Sequence, residues 1–275
     1  MPIHLLSSRA VVRFTGPDAG KLLNDTLTGR LDPPPEGEGR WFALLSAQGK
    51  VQAEGLMSFS DGAYHADIEA GTLDGFVKRM SLYRLRAKVE IASLADSHAV
   101  LWSPEPAGQG IDYADSRAGG VGHRAIVERA EAGAADGDDT AYHAARIDRG
   151  IAELGPDFGT NEVFAHDIGM DLLDGIDFVK GCYVGQEVVS RMKHRGTARR
   201  RPVIVSGTDA PAGTPVVAGT REAGSIGRSV GGQAVAVLRL DRITDMDAVT
   251  VDGAAVTLRL PEWASYWFGE SGSDE

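Results

Sequence analysis

One cysteine occurs in the chain, Cys182, within Lys180-Gly181-Cys182-Tyr183-Val184-Gly185-Gln186-Glu187. A lone thiol cannot close an internal disulfide. Nor can it supply the several thiolates that a structural zinc or a resident iron–sulfur cluster takes from its protein. Two readings stay open: a small buried apolar side chain, as free cysteine commonly is, or a reactive group. The neighbours bear on the second. Lys180 precedes the thiol, and Arg191, Lys193, Arg195, Arg199, Arg200 and Arg201 follow. Val188, Val189 and Met192 fall on one stripe, so a helix is expected from Glu187 onward with Cys182 just before it. Cations and the positive end of a helix both favour thiolate, and such settings lower a cysteine pKa by roughly one to several units.

A second group of interest is Arg146-Ile147-Asp148-Arg149-Gly150. It closes a helix expected over 138–149, with Asp138 as N-cap, and so puts Asp148 at a helix C-terminus. A carboxylate there opposes the helix dipole, at a cost of a few tenths to about 1 kcal/mol. Tyr142 lies six residues earlier, not far off the same helical face. The plain alternative is a solvated Asp148 and a packed Tyr142. Other chemistries find no support. Gly16-Pro17-Asp18-Ala19-Gly20-Lys21 has the wrong glycine spacing for a phosphate loop, and Leu22 stands where a Ser or Thr is required. No dinucleotide glycine fingerprint and no His-Glu-x-x-His pair occurs, and no metal site is expected. His166 and His194 are the histidines nearest the cysteine in sequence and the first candidates for a Cys–His pair.

The elements that must position these groups read as α+β. Residues 9–14, 41–47 and 51–59 alternate as strands, with a further strand after Ser60-Asp61-Gly62. Ala19, Leu22, Leu23 and Leu27 mark one amphipathic helix, and Leu73, Phe76, Val77 and Met80 another, before a strand expected over 85–91. Strands follow at 98–102 and 121–128, separated by a polar loop over 103–120. From Arg201 onward short strands with glycine and proline turns predict a small antiparallel barrel. The expected division is residues 1–95, 96–200, a barrel over 201–262, and an acidic tail over 263–275.

At 275 residues with 43% apolar side chains, the chain can bury a sizeable core. Every apolar stretch is interrupted well short of the ~20 residues a membrane helix needs, and the first residues carry no secretion signal. A single cysteine fits a reducing compartment, so a cytoplasmic location and no membrane partner are expected. The net charge of −11 argues against direct nucleic-acid binding. Residues 180–201 nevertheless hold seven cations against Glu187 alone, a local +6 that is either a solvated face or an anion site.

The octapeptide around Cys182, continuing into Arg191-Met192-Lys193-His194-Arg195-Gly196, resembles the signature of the YgfZ-type folate-binding proteins, relatives of the glycine-cleavage T-protein. That family has Arg-x-Glu-x-Gly where this chain has Arg146-Ile147-Asp148-Arg149-Gly150, so Asp148 replaces a pterin-binding Glu with one methylene less. Phe164-Ala165-His166-Asp167 stands where a Phe-Pro-x-Glu segment is usual. The likeness extends over nearly the whole chain, with specific motifs between about 142 and 201.

The resemblance implies a T-protein-like ring of three subdomains around a tetrahydrofolate channel, closed by the C-terminal barrel. One carboxylate can accept the paired N–H groups of a pterin. Asp148 would do so, Tyr142 would stack on the ring, and Lys180, Arg191 and Arg195 would meet the folate's glutamate tail. Gly181 and Gly185 would let the backbone approach the ligand. Cys182 would sit at the channel mouth and contact a cluster or partner. The implied function is assembly or repair of [4Fe–4S] clusters in client proteins, tRNA-modifying radical-SAM enzymes included, with cluster carriers as further partners. The alternative is a folate-dependent one-carbon (aminomethyl or methyl) transferase or demethylase.

Overall fold

The structure is a computed structural model that describes residues 2–134, 137–196 and 198–269. It is mixed α+β. The first part runs β1 (His4–Leu5), β2 (Arg9–Thr15), α1 (Ala19–Thr26), β3 (Glu38–Leu45), β4 (Val51–Ser60), β5 (Ala63–Glu69), α2 (Leu73–Arg84) and β6 (Glu90–Ser93). β7 (His98–Ser103), β8 (Ile111–Asp115), β9 (His123–Glu128), α3 (Thr140–Asp148) and α4 (Gln186–Arg195) follow.

Nine strands form one sheet in the order β1-β7-β9-β8-β3-β4-β5-β2-β6. Every pair is antiparallel except β3 with β8, which pairs Glu38 with Ala114 and Gly39 with Asp115. Strand β8 lies in the stretch read above as loop. It carries Asp115 and Tyr113 inward, so its buried charge disguises its alternation. Because of β8, residues 1–95 and 96–200 share a single sheet rather than standing as separate layers.

Helix α1 buries Ala19, Leu22 and Leu23, the i, i+3, i+4 stripe of its sequence. It packs with α2, through Phe76 and Met80, over Phe14, Phe42 and Met57. A second cluster joins Trp41, Tyr113, Tyr142, Ile147, Met170, Tyr183 and Val189 across the sheet's two halves. Each fully buried Leu or Phe of this kind contributes about 1.5–3 kcal/mol.

The C-terminal part comprises β10 (Arg200–Ser206), β11 (Pro215–Ala218), β12 (Arg221–Val230), β13 (Gln233–Arg239), β14 (Val249–Val251), β15 (Ala254–Ala255) and β16 (Thr257–Arg259). Their order, β15-β14-β11-β12-β13-β10-β16, puts β15 and β16 at opposite edges. Only Val256 separates these two strands in sequence, so the antiparallel sheet nearly closes into a barrel. The tail expected from 263 starts too early: Trp263 donates to Arg149 O at 2.7 Å and Tyr266 to Pro202 O at 2.8 Å, packing this segment onto the fold. Its last residues, 270–275, lie outside the described part. No helix among the described residues is long and apolar enough to cross a membrane.

Barrel and sheet meet at α3. Gly150 follows that helix at φ +67°, and a β-carbon there would sit 2.4 Å from Pro261 Cγ. Only glycine fits both the backbone and the contact. Arg228 of β12 binds Asp139 at 2.8 Å on the other end of α3.

Candidate ligand groove and the cysteine loop

The centre of the molecule is ionic. Arg9, Arg117, Arg124 and Arg146 pair with Asp67, Asp115, Glu153 and Asp157, the ion-paired side chains at most 3% exposed, and the buried Glu54 stands beside them. Asp67 accepts from Arg9 Nε at 2.6 Å, Arg124 Nη1 at 2.6 Å and the Tyr113 hydroxyl at 3.0 Å. Asp115 takes both arms of Arg117, at 2.8 and 2.6 Å. The Tyr142 hydroxyl accepts from Arg124 Nη2 at 2.5 Å and donates to Glu153 Oε1 at 2.5 Å.

Burial alone would raise these acids, yet Arg9 and Arg124 hold Asp67 below its usual range, and Arg117 and Arg124 do the same for Asp115. Glu153 is held well below its range, its burial outweighed by Arg9, Arg124, Arg146 and Arg117. Glu54 moves the other way, raised by burial and by the neighbouring Glu153. Apart from Glu54, four carboxylates, Asp67, Asp115, Glu153 and Asp157, pair with the four guanidiniums. Asp67, Asp115 and Glu153 are therefore poor proton acceptors; together with Asp157, which burial raises, they hold strands β2, β5, β8, β9 and helix α3 in register.

Beside this network lies a cavity of about 240 Å³ lined by Gly39, Arg40, Trp41, Ser116, Arg117, Ala118, Gly119, Leu172, Leu173, Asp174 and Trp263. A smaller one of about 40 Å³, lined by Ala118, Asp148, Arg149, Arg259, Glu262 and Trp263, adjoins it. The two share Ala118 and Trp263 and make one groove. Its wall is unusual at Ala118, whose φ of 51° and ψ of 37° are left-handed. A non-glycine residue there costs about 1–3 kcal/mol, and such conformations cluster where ligands bind. The Arg117 guanidinium is 5.4 Å from the Trp41 ring and fixed by Asp115. The groove thus offers one part-exposed aromatic surface, Trp263, with the buried Trp41 (3% exposed) behind its wall, and guanidiniums and rim carboxylates around it.

The cysteine loop is held at both ends. The Lys180 ammonium donates to Leu27 O and, at 2.7 Å, to Gly29 O, and lies 4.9 Å from the Tyr183 ring. Burial pulls its pKa down to about 8. Gly185, at φ +80°, caps α4, and a β-carbon there would lie 2.8 Å from Ser46 O. Between these anchors Cys182 is exposed, so the buried reading does not hold. Gly181 has open space around it, so a close approach explains Gly185 and not Gly181.

The structure separates several residues that the sequence grouped. Asp148 is on the groove wall, its carboxylate 69% exposed and 3.3 Å from Arg259. Tyr142 is not there. Six residues along an α-helix is about 120° off the starting face, and Tyr142 turns inward to the ionic network, 1% exposed, so it is no stacking surface. Trp41 and Trp263 are the aromatic residues that line the groove. Lys180 is committed to main-chain carbonyls, Arg191 pairs with Glu187 at 2.5 Å, and Arg195 is exposed beyond it on α4. None of these three cations lines the groove, and Cys182 does not line it either. His166 is buried, with both ring nitrogens unpartnered. Trp41, Arg117 and Trp263 escaped the sequence reading; the glycine-rich turn after Arg117 was their only local signal. Among the described residues no group of His, Cys, Asp and Glu is placed to hold a metal ion.

This fold is shared. The chain superposes on glycine cleavage system aminomethyltransferase T from Bartonella henselae with a TM-score of 0.75, covering 97% of this chain and 87% of that one at 13% identity. Residues 198–266 match the family described as CAF17, C-terminal beta-barrel domain. The protein is therefore a member of the T-protein-like fold class with a CAF17-type barrel. In sequence it is similar to proteins named iron–sulfur cluster assembly factor IBA57, mitochondrial, or its homolog. Identity is 27% to that of Pyricularia oryzae, over 98% of this chain and 76% of the relative. It is 26% to the mouse protein, over 94% and 84%. The Neurospora crassa relative is 28% identical over 71% of this chain, which spans only about half, 51%, of that protein.

Proposed function

We propose that this chain is a YgfZ-type folate-binding factor that supports assembly or repair of iron–sulfur clusters, [4Fe–4S] centres of tRNA-modifying enzymes included, in client proteins or through cluster carriers. The observation that carries the reading is the exposed Cys182 on a loop fixed by Lys180 and Gly185. One accessible thiol can lend a transient ligand to a cluster without owning one. The likeness to proteins named as iron–sulfur cluster assembly factors supports the same role.

The groove supports folate as the ligand. Trp263 offers a part-exposed ring surface, Asp148 can accept from N–H groups at one end, and Arg40 stands at the other for a carboxylate tail. Folate, when bound, supplies one-carbon carrier chemistry; the residues here bind and orient it. A one-carbon transferase is less well served, because Asp67, Asp115 and Glu153 are locked by arginines.

The test is rescue of iron–sulfur enzyme activity in a strain lacking the gene, together with calorimetric titration of tetrahydrofolate. Cys182→Ala is expected to bind folate as wild type does and to fail in rescue. Full rescue by Cys182→Ala refutes the role of the thiol. No heat from tetrahydrofolate at millimolar concentration refutes the folate assignment.

A further inference from the structure

A second surface stands apart from the groove. Residues 75–89 hold five cations, Lys78, Arg79, Arg84, Arg86 and Lys88, and no anion, in a chain of net charge −11. Two large apolar side chains sit among them in solvent, Leu82 at 64% and Leu85 at 87% exposure. Helix α2 buries Phe76 and Met80, so Leu82 is left out of its packing. Leu85 ends the helix at φ +45° and ψ −106°. That backbone costs a non-glycine residue about 1–3 kcal/mol, and glycine would also spare the exposed apolar surface.

The same segment walls a cavity of about 440 Å³. Leu22 and Thr26 of α1 form one side, with Asp18, Lys21 and Asp25 beside them, Tyr83 and Ala87 another, and Val184 of the cysteine loop a third; the Lys21 ammonium pairs with Asp25. Only Tyr183 separates Val184 from Cys182, so their Cα atoms are within ~7 Å.

We infer that this face docks an acidic protein partner, which seats a large apolar side chain in the cavity while its carboxylates meet the cations of 78–88. The inference rests on the function proposed above and gives the partner's position: its cluster-bearing site would face Cys182. Charge selects the class of partner. Five cations against the flanking Asp74 and Glu90 leave residues 74–90 at +3, which attracts an acidic surface and steers its approach, and exposed leucines beside a largely apolar cavity are what a protein anchor needs. A bilayer surface is flat and does not fill a concave site, and an acidic chain is repelled by anionic lipid. A nucleic-acid backbone has no apolar anchor to offer the leucines.

The test places the photo-crosslinking residue p-benzoylphenylalanine at Leu85, and at the exposed barrel residue Arg221 as control, in cells lacking the chromosomal gene. Adducts are identified by mass spectrometry. An adduct with an acidic iron–sulfur protein at Leu85 and not at Arg221 is expected. The double substitution Leu82→Asp/Leu85→Asp is expected to lower rescue at least five-fold with unchanged folate affinity and a melting temperature within about 2 °C. Leu85→Gly is expected to raise the melting temperature by relieving the backbone while still weakening rescue, a pairing that a purely structural leucine does not produce. Adducts only to lipid or nucleic acid, no adduct, or wild-type rescue by the double variant overturns the docking surface. If the wild-type chain itself fails to rescue, the proposed function falls, while the identity of the Leu85 adduct still decides the surface.

Discussion

Replacing Tyr142 by Phe tests whether that ring is part of a ligand site or of the scaffold. The substitution keeps the ring and removes one oxygen. That oxygen joins Arg124 to Glu153 through two bonds of 2.5 Å, with Arg117 at 3.4 Å, in a site 1% exposed. Hydrogen bonds to charged groups contribute about 1.5–3 kcal/mol, and a buried charge stripped of a partner bears its desolvation cost. A loss of about 2–3 kcal/mol follows. At ~2.1 cal/mol/K per residue, unfolding 275 residues carries about 0.6 kcal/mol/K, so the melting temperature should fall by about 3–5 °C. Differential scanning calorimetry at pH 7 measures it, and calorimetric titration with tetrahydrofolate should show unchanged affinity. A stacking tyrosine gives a different pattern, because Phe stacks as well as Tyr and nothing would change. A melting temperature within 1 °C of wild type therefore refutes the scaffold assignment.

Other outcomes follow from the same geometry. Asp148→Ala should weaken tetrahydrofolate binding about ten-fold or more in a calorimetric titration, a loss of ~1.4 kcal/mol, whereas Arg195→Ala should leave it unchanged because that side chain is outside the groove. Gly185→Val places a branched side chain at φ +80° with its β-carbon 2.8 Å from Ser46 O, so urea unfolding should show a loss of at least about 1–3 kcal/mol. Glu153→Gln strips the network of its shared anion, and a loss of about 3–5 kcal/mol is expected on chemical denaturation. Lys180, lowered to about 8 by burial, gives a pH test. Between pH 8 and about 10.5 the folded chain has released this proton while the unfolded chain still binds it, so stability rises with pH through that window. Lys180→Met should flatten that rise in denaturation curves collected at pH 7.5, 9 and 10; an unaltered rise sinks the assignment.

The barrel was legible because its strands are short, apolar and bounded by glycine or proline, and the helices because their apolar residues recur at helical spacing. Strand β8 was not, since Tyr113 and Asp115 point inward to Arg124, Asp67 and Arg117, and a strand that buries charge reads as polar loop. The same cause hid the ionic centre. Its nine charged members come from β2, β4, β5, β8, β9, α3 and the two loops that follow β8 and α3, and no local pattern announces a partner 57 residues away, as Asp67 is from Arg124. The strand expected over 85–91 began late, because Leu85 turns out of the helix into solvent and pairing with β2 starts at Glu90. Of the candidate site residues, Asp148 was visible from its awkward place at a helix end and Cys182 from its rarity. Trp263 was hidden inside a stretch whose acidic end suggested a tail.

The ionic centre also accounts for how a groove and a distant thiol belong to one molecule. Arg117 is fixed by Asp115 on one side and faces Trp41 on the other, so the network sets one wall of the groove. Trp41 is fixed in turn by Glu54, which accepts its indole N–H at 2.7 Å. From Trp41 the contacts continue toward the cysteine. Gly175 packs on the indole, Thr28 donates to Gly175 O at 2.7 Å, and Asp177 N donates to Thr28 O at 2.9 Å. Asp177 then accepts from the backbone N–H groups of Val179 and Lys180, and Lys180 returns to Leu27 and Gly29. Residues 172–174 line the groove and residues 180–185 carry the thiol, so a single tied segment spans both. A ligand in the groove that moves Leu172 or Leu173 is expected to move the anchors of Cys182 through Gly175 and Asp177. Coupling of this kind would need no contact between the proposed ligand and the sulfur. Thr28→Val removes the bond to Gly175 O, and with it the acceptor of the Ala43 N–H, so it should weaken the dependence of the Cys182 alkylation rate on tetrahydrofolate concentration; a wild-type rate that ignores folate altogether refutes the coupling.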